Sequence, residues 1–141
     1  MESAKKKVIS VHATINEPID KVWKNFTSPE DIVKWNTASE DWQTTSASNE
    51  LHVGGKFNYR MEAKDGSIGF DFWGIYDEVI HNEKLVSTLG DGRKLEIKFH
   101  SQHKETEIMQ SFEAEDENPI DLQRNGWQAI LDNFKKFTET Y

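Results

Sequence analysis

Residues 118–141 read NPIDLQRNGWQAILDNFKKFTETY, and this stretch decides the fold class. The pair Asn118-Pro119 is typical of a helix start. Beyond it, apolar side chains recur at helical spacing and form one continuous stripe: Trp127, Ile130, Leu131, Phe134, Phe137 and Tyr141. A long helix with so wide a stripe must bury it against a large partner. Gly126 interrupts the pattern at a cost of about 1 kcal/mol relative to alanine, so we expect a packing or access reason for it.

The middle of the chain supplies the partner, because the apolar period changes there to two. Residues 56–63 alternate apolar and polar side chains, which is typical of a half-buried strand. Further strands are predicted at 68–80, 85–89, 95–99 and 108–112. One face of the 68–80 strand carries Ile68, Phe70, Phe72, Gly74 and Tyr76, and the other carries Trp73, Ile75 and Val79. The last strand carries Ile108, Gln110 and Phe112 with Met109 opposite. Short turns between the strands predict an antiparallel sheet.

The first 50 residues add a strand and two short helices. Residues 5–15 predict a strand, and Asn16 with Pro18 predicts a capped helix after it. Ser28-Pro29 predicts a second helix start, and residues 40–47 predict a weaker strand. The order is β-α-α-β-β-β-β-β-β-α. We therefore expect an α+β helix-grip fold, in which a curved antiparallel sheet wraps the C-terminal helix and residues 1–141 form a single domain.

The amino-acid composition limits the cellular compartments and the binding partners that we expect for the protein. The chain has no cysteine, no secretory signal and no run of 18 apolar residues, so we expect a cytoplasmic protein without a membrane span. Its net charge of −8 argues against a nucleic-acid partner, since such binding rests on Lys and Arg. The Lys5–Lys7 run is interpreted as solubilising the chain start. We expect a monomer.

Motifs in a specific order carry a resemblance along nearly the whole chain, from about Val8 to the end. They are Ile15-Asn16-Glu17-Pro18-Ile19-Asp20-Lys21-Val22-Trp23, Thr27-Ser28-Pro29-Glu30, Lys34-Trp35, Val53-Gly54-Gly55-Lys56-Phe57, Asp65-Gly66, Gly74 with Asp77-Glu78-Val79, and Gly126-Trp127 with Leu131. Together they resemble the family named for the activator of the heat-shock protein 90 ATPase, in the START-like (birch-pollen-allergen-like, SRPBCC) helix-grip superfamily. Many relatives have a proline-containing turn where this chain has residues 81–84.

The resemblance implies an apolar cavity between the sheet and the long helix, which the superfamily uses for lipids, sterols, polyketides and aromatic compounds. The heat-shock co-chaperone carries a further N-terminal domain that these 141 residues do not include. The family name alone therefore does not imply an activator role. Candidates to line the cavity are Trp35, Phe57, Tyr59, Met61, Phe70, Phe72, Met109, Phe112, Trp127, Leu131 and Phe134. The sequence leaves open whether these side chains line a cavity or fill a close-packed core.

Chemistry-bearing motifs are scarce. Of the five histidines, only His100 and His103 are close in sequence, and they lack a third ligand, so we expect no metal site. There is no Gly-x-Ser-x-Gly elbow and no glycine-rich phosphate loop before a helix, so no catalytic residue and no cofactor is predicted. His12, Arg60 and Asp71 could serve acid–base chemistry, but as strand residues they are more simply interpreted as surface charges.

Three functions remain. The leading hypothesis is non-catalytic binding of a small hydrophobic or aromatic ligand, such as a lipid, sterol or polyketide-like compound. The first alternative is a stress-related co-chaperone or regulatory module that contacts a chaperone or another protein, helped by an acidic surface. The second is a cyclase- or hydrolase-like enzyme, which requires polar catalytic groups inside the cavity.

Overall fold

The computed structural model describes residues 7–141 and contains one seven-stranded antiparallel sheet and three helices in that range. The strands are β1 (Val8–Ile15), β2 (Trp42–Asn49), β3 (Lys56–Ala63), β4 (Gly69–Ile80), β5 (Lys84–Leu89), β6 (Lys94–Gln102) and β7 (Glu105–Glu113). The helices are α1 (Ile19–Thr27), α2 (Pro29–Trp35) and α3 (Ile120–Thr140). The predicted order of elements and the α+β helix-grip class are confirmed. Residues 5 and 6, which the sequence assigned to the first strand and to the basic run, lie outside the described residues.

The sheet curls into a half-barrel with the strand order β1-β7-β6-β5-β4-β3-β2. Its edge strands are covered, because α3 packs along β1 and α2 packs along β2. Period-two burial explains which side faces inward: in β1, every second residue from Ile9 to Ile15 is buried. The concave face therefore receives the apolar stripe of α3, where Leu131, Phe134 and Thr138 are buried.

A β-bulge in β4 redirects one predicted residue. The pairing with β5 shifts between Tyr76 and Glu78, so Val79 pairs with the buried Leu85 and packs against the core. The sequence placed Val79 on the face opposite Tyr76 and predicted that part of this strand is covered on both sides. The placement of Val79 was wrong, since a bulge inserts one residue and inverts the alternation beyond it. The inner face of β4 before the bulge, including Phe72, Gly74 and Tyr76, follows the predicted alternation.

Helix starts follow the prolines more closely than the predicted caps. Helix α1 begins at Ile19 with Pro18 as its cap residue, so Asn16 is not the cap. Instead, the Asn16 backbone N–H donates to the Glu139 carboxylate at 2.7 Å, which ties the end of α3 to this corner. Pro29 occupies the first turn of α2 as predicted, but the Ser28 hydroxyl makes no capping hydrogen bond. Strand β2 begins two residues later than predicted, at Trp42.

Candidate ligand-binding site

A cavity of about 260 Å³ lies between the concave face of the sheet and α3. Its position follows from the fold, because a strongly curled sheet and a straight helix diverge on one side of the core. Aromatic and aliphatic side chains make up most of the lining. The lining residues are Phe26, Trp35, Asn36, Phe57, Tyr59, Met61, Phe70, Phe72, Tyr76, Leu85, Ser87, Arg93, Leu95, Ile97, Gln110, Glu115, Trp127 and Ile130.

One wall of the cavity is an aromatic cluster on β3 and β4. The Phe57 ring lies 5.4 Å from Tyr59, 5.8 Å from Phe72 and 5.4 Å from Tyr76, measured between ring centroids. Tilted pairs at these separations are favourable and hold the rings in fixed relative positions. Gly74 permits the arrangement, because a Cβ there would lie 2.8 Å from the Phe57 ring and 2.9 Å from a backbone oxygen of β5. The wall is therefore built from rings that support one another.

The roof is formed by α3. Trp127 stacks on Phe112 with a centroid separation of 4.0 Å and an interplanar angle of 19°, and it meets Phe72 edge-on at 5.8 Å. Phe112 is buried beneath the indole and does not line the cavity. Trp127 thus joins the β3–β4 wall to the cavity floor, which is formed by the lining residues of β5, β6 and β7: Leu85, Ser87, Leu95, Ile97 and Gln110.

The opposite wall consists of Phe26 from α1 and Trp35 from α2, backed by Phe134 of α3. The Phe134 ring lies 5.1 Å from Phe26 and 4.9 Å from Trp35. The Trp35 indole N–H donates to the Asn25 carbonyl oxygen at 3.0 Å, which fixes α2 to α1. This wall is closed, since both Trp35 and Ile32 are buried.

The cavity reaches solvent on the other side, where its lining residues are exposed or half-buried: Met61, Phe70, Phe72, Glu115, Trp127 and Ile130. The opening lies beside the first half of α3 and not beside α2, where Ile32 and Trp35 are buried. Gly126 lies one helical turn before Ile130, and a Cβ there would meet nothing within 4 Å. Close packing therefore does not explain this glycine.

Eleven residues were predicted to line the cavity, and the structure places seven of them there: Trp35, Phe57, Tyr59, Met61, Phe70, Phe72 and Trp127. Three others, Phe112, Leu131 and Phe134, are buried in the core behind the lining. Met109 is elsewhere. It is 43% exposed on the convex face of β7, because its neighbours Ile108 and Gln110 point inward and alternate residues must point outward.

Two polar residues that the sequence did not propose as site residues have unusual surroundings. Ser87 on β5 is 3% exposed and Gln110 on β7 is 7% exposed, and both line the cavity. Of the ten buried polar residues in the described range, these two alone make no side-chain hydrogen bond to the protein; the others are Asn25, Thr27, Asp31, Asn36, Thr44, Thr106, Gln123 and Thr138. Buried polar groups are normally paired. The polar atoms of Ser87 and Gln110 keep some accessible surface, because the fully buried side-chain atom without a partner in the described range is Asn82 Oδ1 and not one of theirs.

Two tyrosines add hydroxyl groups to the lining. The Tyr76 hydroxyl donates to the Asn49 side-chain oxygen at 2.6 Å, and the Asn49 amide in turn donates to the Thr27 carbonyl at 2.8 Å. Burial raises the pKa of Tyr76, and burial together with the neighbouring Tyr76 raises the pKa of Tyr59 well above its usual value. Both tyrosines are consequently neutral at physiological pH.

Charged groups of the lining are already partnered. The Arg93 guanidinium donates to the Asp91 carboxylate at 2.7 Å and to the Glu113 carbonyl at 3.2 Å. Glu115 accepts a hydrogen bond from the Asn118 amide. The Arg93 charge is therefore paired, whereas the Glu115 carboxylate has a neutral partner and leaves the lining with a negative charge.

Residues 7–141 contain neither a cluster of metal-ligating side chains nor a membrane-crossing helix. In that range no three His, Cys, Asp or Glu side chains are grouped closely enough to hold a metal ion. Of the described helices, none combines the length and the hydropathy that crossing a bilayer requires.

A half-barrel of antiparallel strands closed around a long C-terminal helix, with an apolar cavity between them, defines a helix-grip protein of the START-like superfamily. Within that class, the chain belongs to the family described as "Activator of Hsp90 ATPase homolog 1-like protein", whose sequence model matches residues 16–139. The resemblance stated from the motifs is confirmed. No curated protein matches the chain.

Solved structures agree with this assignment. The solution structure of an AHSA1-like protein from Aeromonas hydrophila is 41% identical, with a TM-score of 0.89 over 95% of this chain and 93% of the other. A solution structure from Cytophaga hutchinsonii is 47% identical, with a TM-score of 0.82 over 94% and 92% of the two chains. A crystal structure from Chromobacterium violaceum shares the fold at 20% identity, with a TM-score of 0.84 over 94% and 98%.

Proposed function

We propose that the protein binds a small apolar or aromatic molecule in the cavity and does not transform it chemically. The observation that carries this proposal is the aromatic-lined space of about 260 Å³ between the sheet and α3. Ligand sites are typically concave and mostly apolar, with a few placed polar groups. The absence of cysteine from the sequence supports the proposal that binding takes place in the cytoplasm.

Cavity volume limits the size of the ligand. An apolar cavity of about 150 Å³ holds benzene. The present space is less than twice as large, so it suits a compound of about two fused rings. Among the lipids, sterols and polyketide-like compounds considered from the sequence, the smaller aromatic ones fit this volume best, whereas the four fused rings of a sterol would require the mouth to widen.

The enzyme alternative has less support from the lining. Its titratable members are Tyr59, Tyr76, Arg93 and Glu115, and burial keeps the two tyrosines protonated. General acid–base catalysis works best with a pKa near the operating pH. His12, Arg60 and Asp71, which the sequence offered for such chemistry, are not part of the lining.

The co-chaperone alternative rests on the family description and on the net charge of −8, which would attract a basic partner. It is tested separately, by measuring the ATPase rate of the host's heat-shock protein 90 with and without this protein. An unchanged rate and no complex would dismiss it.

Binding is tested by recording amide chemical shifts while 2-methylnaphthalene or 2-naphthol is added. We expect the largest shifts at residues of the lining, including Phe57, Phe72 and Trp127. Ile130→Trp should weaken binding at least tenfold, because Ile130 lines the cavity and is half-buried. The matched control is Leu122→Trp, which places the same ring on an exposed part of α3. If neither compound perturbs the lining, the binding proposal is wrong.

A further inference from the structure

The polar side chains of the cavity that lack a protein partner indicate which hydrogen-bonding group the ligand carries. Ser87 and Gln110 line the cavity without a side-chain hydrogen bond to the protein, and the Tyr59 hydroxyl of the lining has none either. Neither Ser87 nor Gln110 has a fully buried side-chain atom without a partner, so water or a ligand in the cavity can pair with these groups. We propose that these two side chains form the hydrogen-bonding part of the site and that the ligand is a neutral two-ring compound carrying a hydroxyl or carbonyl group. This inference rests on the proposed binding function.

The sheet register fixes the relative position of the two groups. Ser87 pairs with Leu95 on β6, and Ile97, two residues further along, pairs with Gln110 on β7. Two strand spacings and two residues place their Cα atoms roughly 12 Å apart. A single hydroxyl or carbonyl group on the ligand therefore reaches one of the two side chains at a time, either Ser87 beside Tyr76 or Gln110 beside β1.

The chemistry of the two side chains selects the ligand's polar group. A serine hydroxyl and a glutamine amide each offer both a donor and an acceptor and carry no charge. A hydroxyl or carbonyl oxygen satisfies either of them. A pure hydrocarbon displaces water from both without replacing its hydrogen bonds, which lowers affinity.

The charges around the cavity argue against an anionic ligand. Arg93 is already neutralised by Asp91 at 2.7 Å, and Glu115 adds a negative group to the lining. A buried carboxylate would have to compete with Asp91 for the guanidinium and would be repelled by Glu115.

The test compares 2-naphthol with 2-methylnaphthalene, which have nearly the same shape but differ in the hydrogen-bonding group. For the wild-type protein we expect 2-naphthol to bind more tightly. In the double variant Ser87→Ala/Gln110→Leu, the affinity ratio should fall at least about fivefold, corresponding to one lost hydrogen bond. The single variants assign the contact to one residue. Ser111→Ala is the control, because the Ser111 hydroxyl bonds the Ser10 hydroxyl at 3.0 Å and does not line the cavity.

A second measurement uses the wild-type protein and does not depend on the variants folding. The side-chain amide resonances of Gln110 or the amide resonance of Ser87 should shift at saturation with 2-naphthol more than with 2-methylnaphthalene. If both compounds bind but the ratio is the same in the wild type and the double variant, the inference is overturned while the binding function stands. If neither compound binds, both are overturned.

Discussion

Ser87→Val should stabilise the protein and weaken ligand binding at the same time. Ser87 is buried on β5 and its hydroxyl has no protein partner, so the substitution removes an unpaired polar group. That removal contributes about 1 kcal/mol, at the low end of the usual range because water can enter the cavity. One additional buried methyl group adds about 0.8 kcal/mol. We therefore expect the free energy of unfolding to rise by about 2 kcal/mol.

Urea denaturation followed by far-UV circular dichroism measures the change. For a chain of this length, 2 kcal/mol corresponds to a rise in Tm of roughly 6–8 °C. The control is Ser111→Val on the outer side of β7, where the lost hydroxyl is hydrogen-bonded to Ser10. That control should be neutral or destabilising, because it breaks an existing pair.

Binding is measured on the same two variants with 2-naphthol. Ser87→Val should weaken it at least fivefold, since the new side chain occupies cavity volume and cannot hydrogen-bond. A destabilised Ser87→Val protein would refute the reasoning, because it would mean that the hydroxyl serves a structural contact or that the space beside it is already filled.

Three further changes have definite expected results. Gly126→Ala should stabilise by about 1 kcal/mol in urea denaturation, since it improves helix propensity and the new Cβ meets nothing within 4 Å; a loss would contradict the free space. Phe134→Ala should lower the free energy of unfolding by about 3–5 kcal/mol, because the ring is 0% exposed between two aromatic neighbours. A loss below about 1.5 kcal/mol would contradict this expectation, because it would mean that neighbouring side chains move in to fill the space. Raising the pH above about 10 should lower stability, because the pKa values of Tyr59 and Tyr76 are raised in the folded state and the unfolded chain deprotonates first. Urea midpoints between pH 8 and 11 measure this fall, and the Tyr59→Phe/Tyr76→Phe variant should show a shallower one.

The fold could be predicted from the sequence because its periods are strong. The alternation in residues 56–63 and the stripe from Trp127 to Phe134 each specify one buried face, and both were placed correctly. The bulge before Val79 could not be predicted, because an inserted residue leaves no local signal in an otherwise regular strand. The Asn16 cap failed for a related reason: a distant partner, the Glu139 carboxylate, determines the geometry there.

The site was predicted unevenly. Large rings on inward positions, such as Phe57 and Phe72, could be named because size and alternation agree. Ser87 and Gln110 were missed as site residues, although each stands between two buried apolar residues at a spacing of two. The spacing of two was therefore the available signal in the sequence. It placed the Gln110 side chain inward and the Met109 side chain outward, yet Met109 was predicted to line the cavity because it is apolar, and that prediction was wrong.

The cavity is expensive, and this bears on why it exists. A dry void of about 260 Å³ would lower stability by about 6 kcal/mol, using ~24 cal/mol per Å³, and this is an upper limit because water can enter the cavity. Domains have a total stability of only about 5–15 kcal/mol. A single substitution such as Ser87→Val would reduce the free-energy cost of the cavity. Selection for stability alone therefore does not explain why a small polar residue, Ser87, lies on the cavity floor. The rings of the β3–β4 wall pack against one another, and those of the α1–α2 wall do the same, which keeps the space between them open. An occupant that pairs with the floor would recover the lost stability on binding, and the cavity is therefore better explained as a ligand site than as imperfect packing.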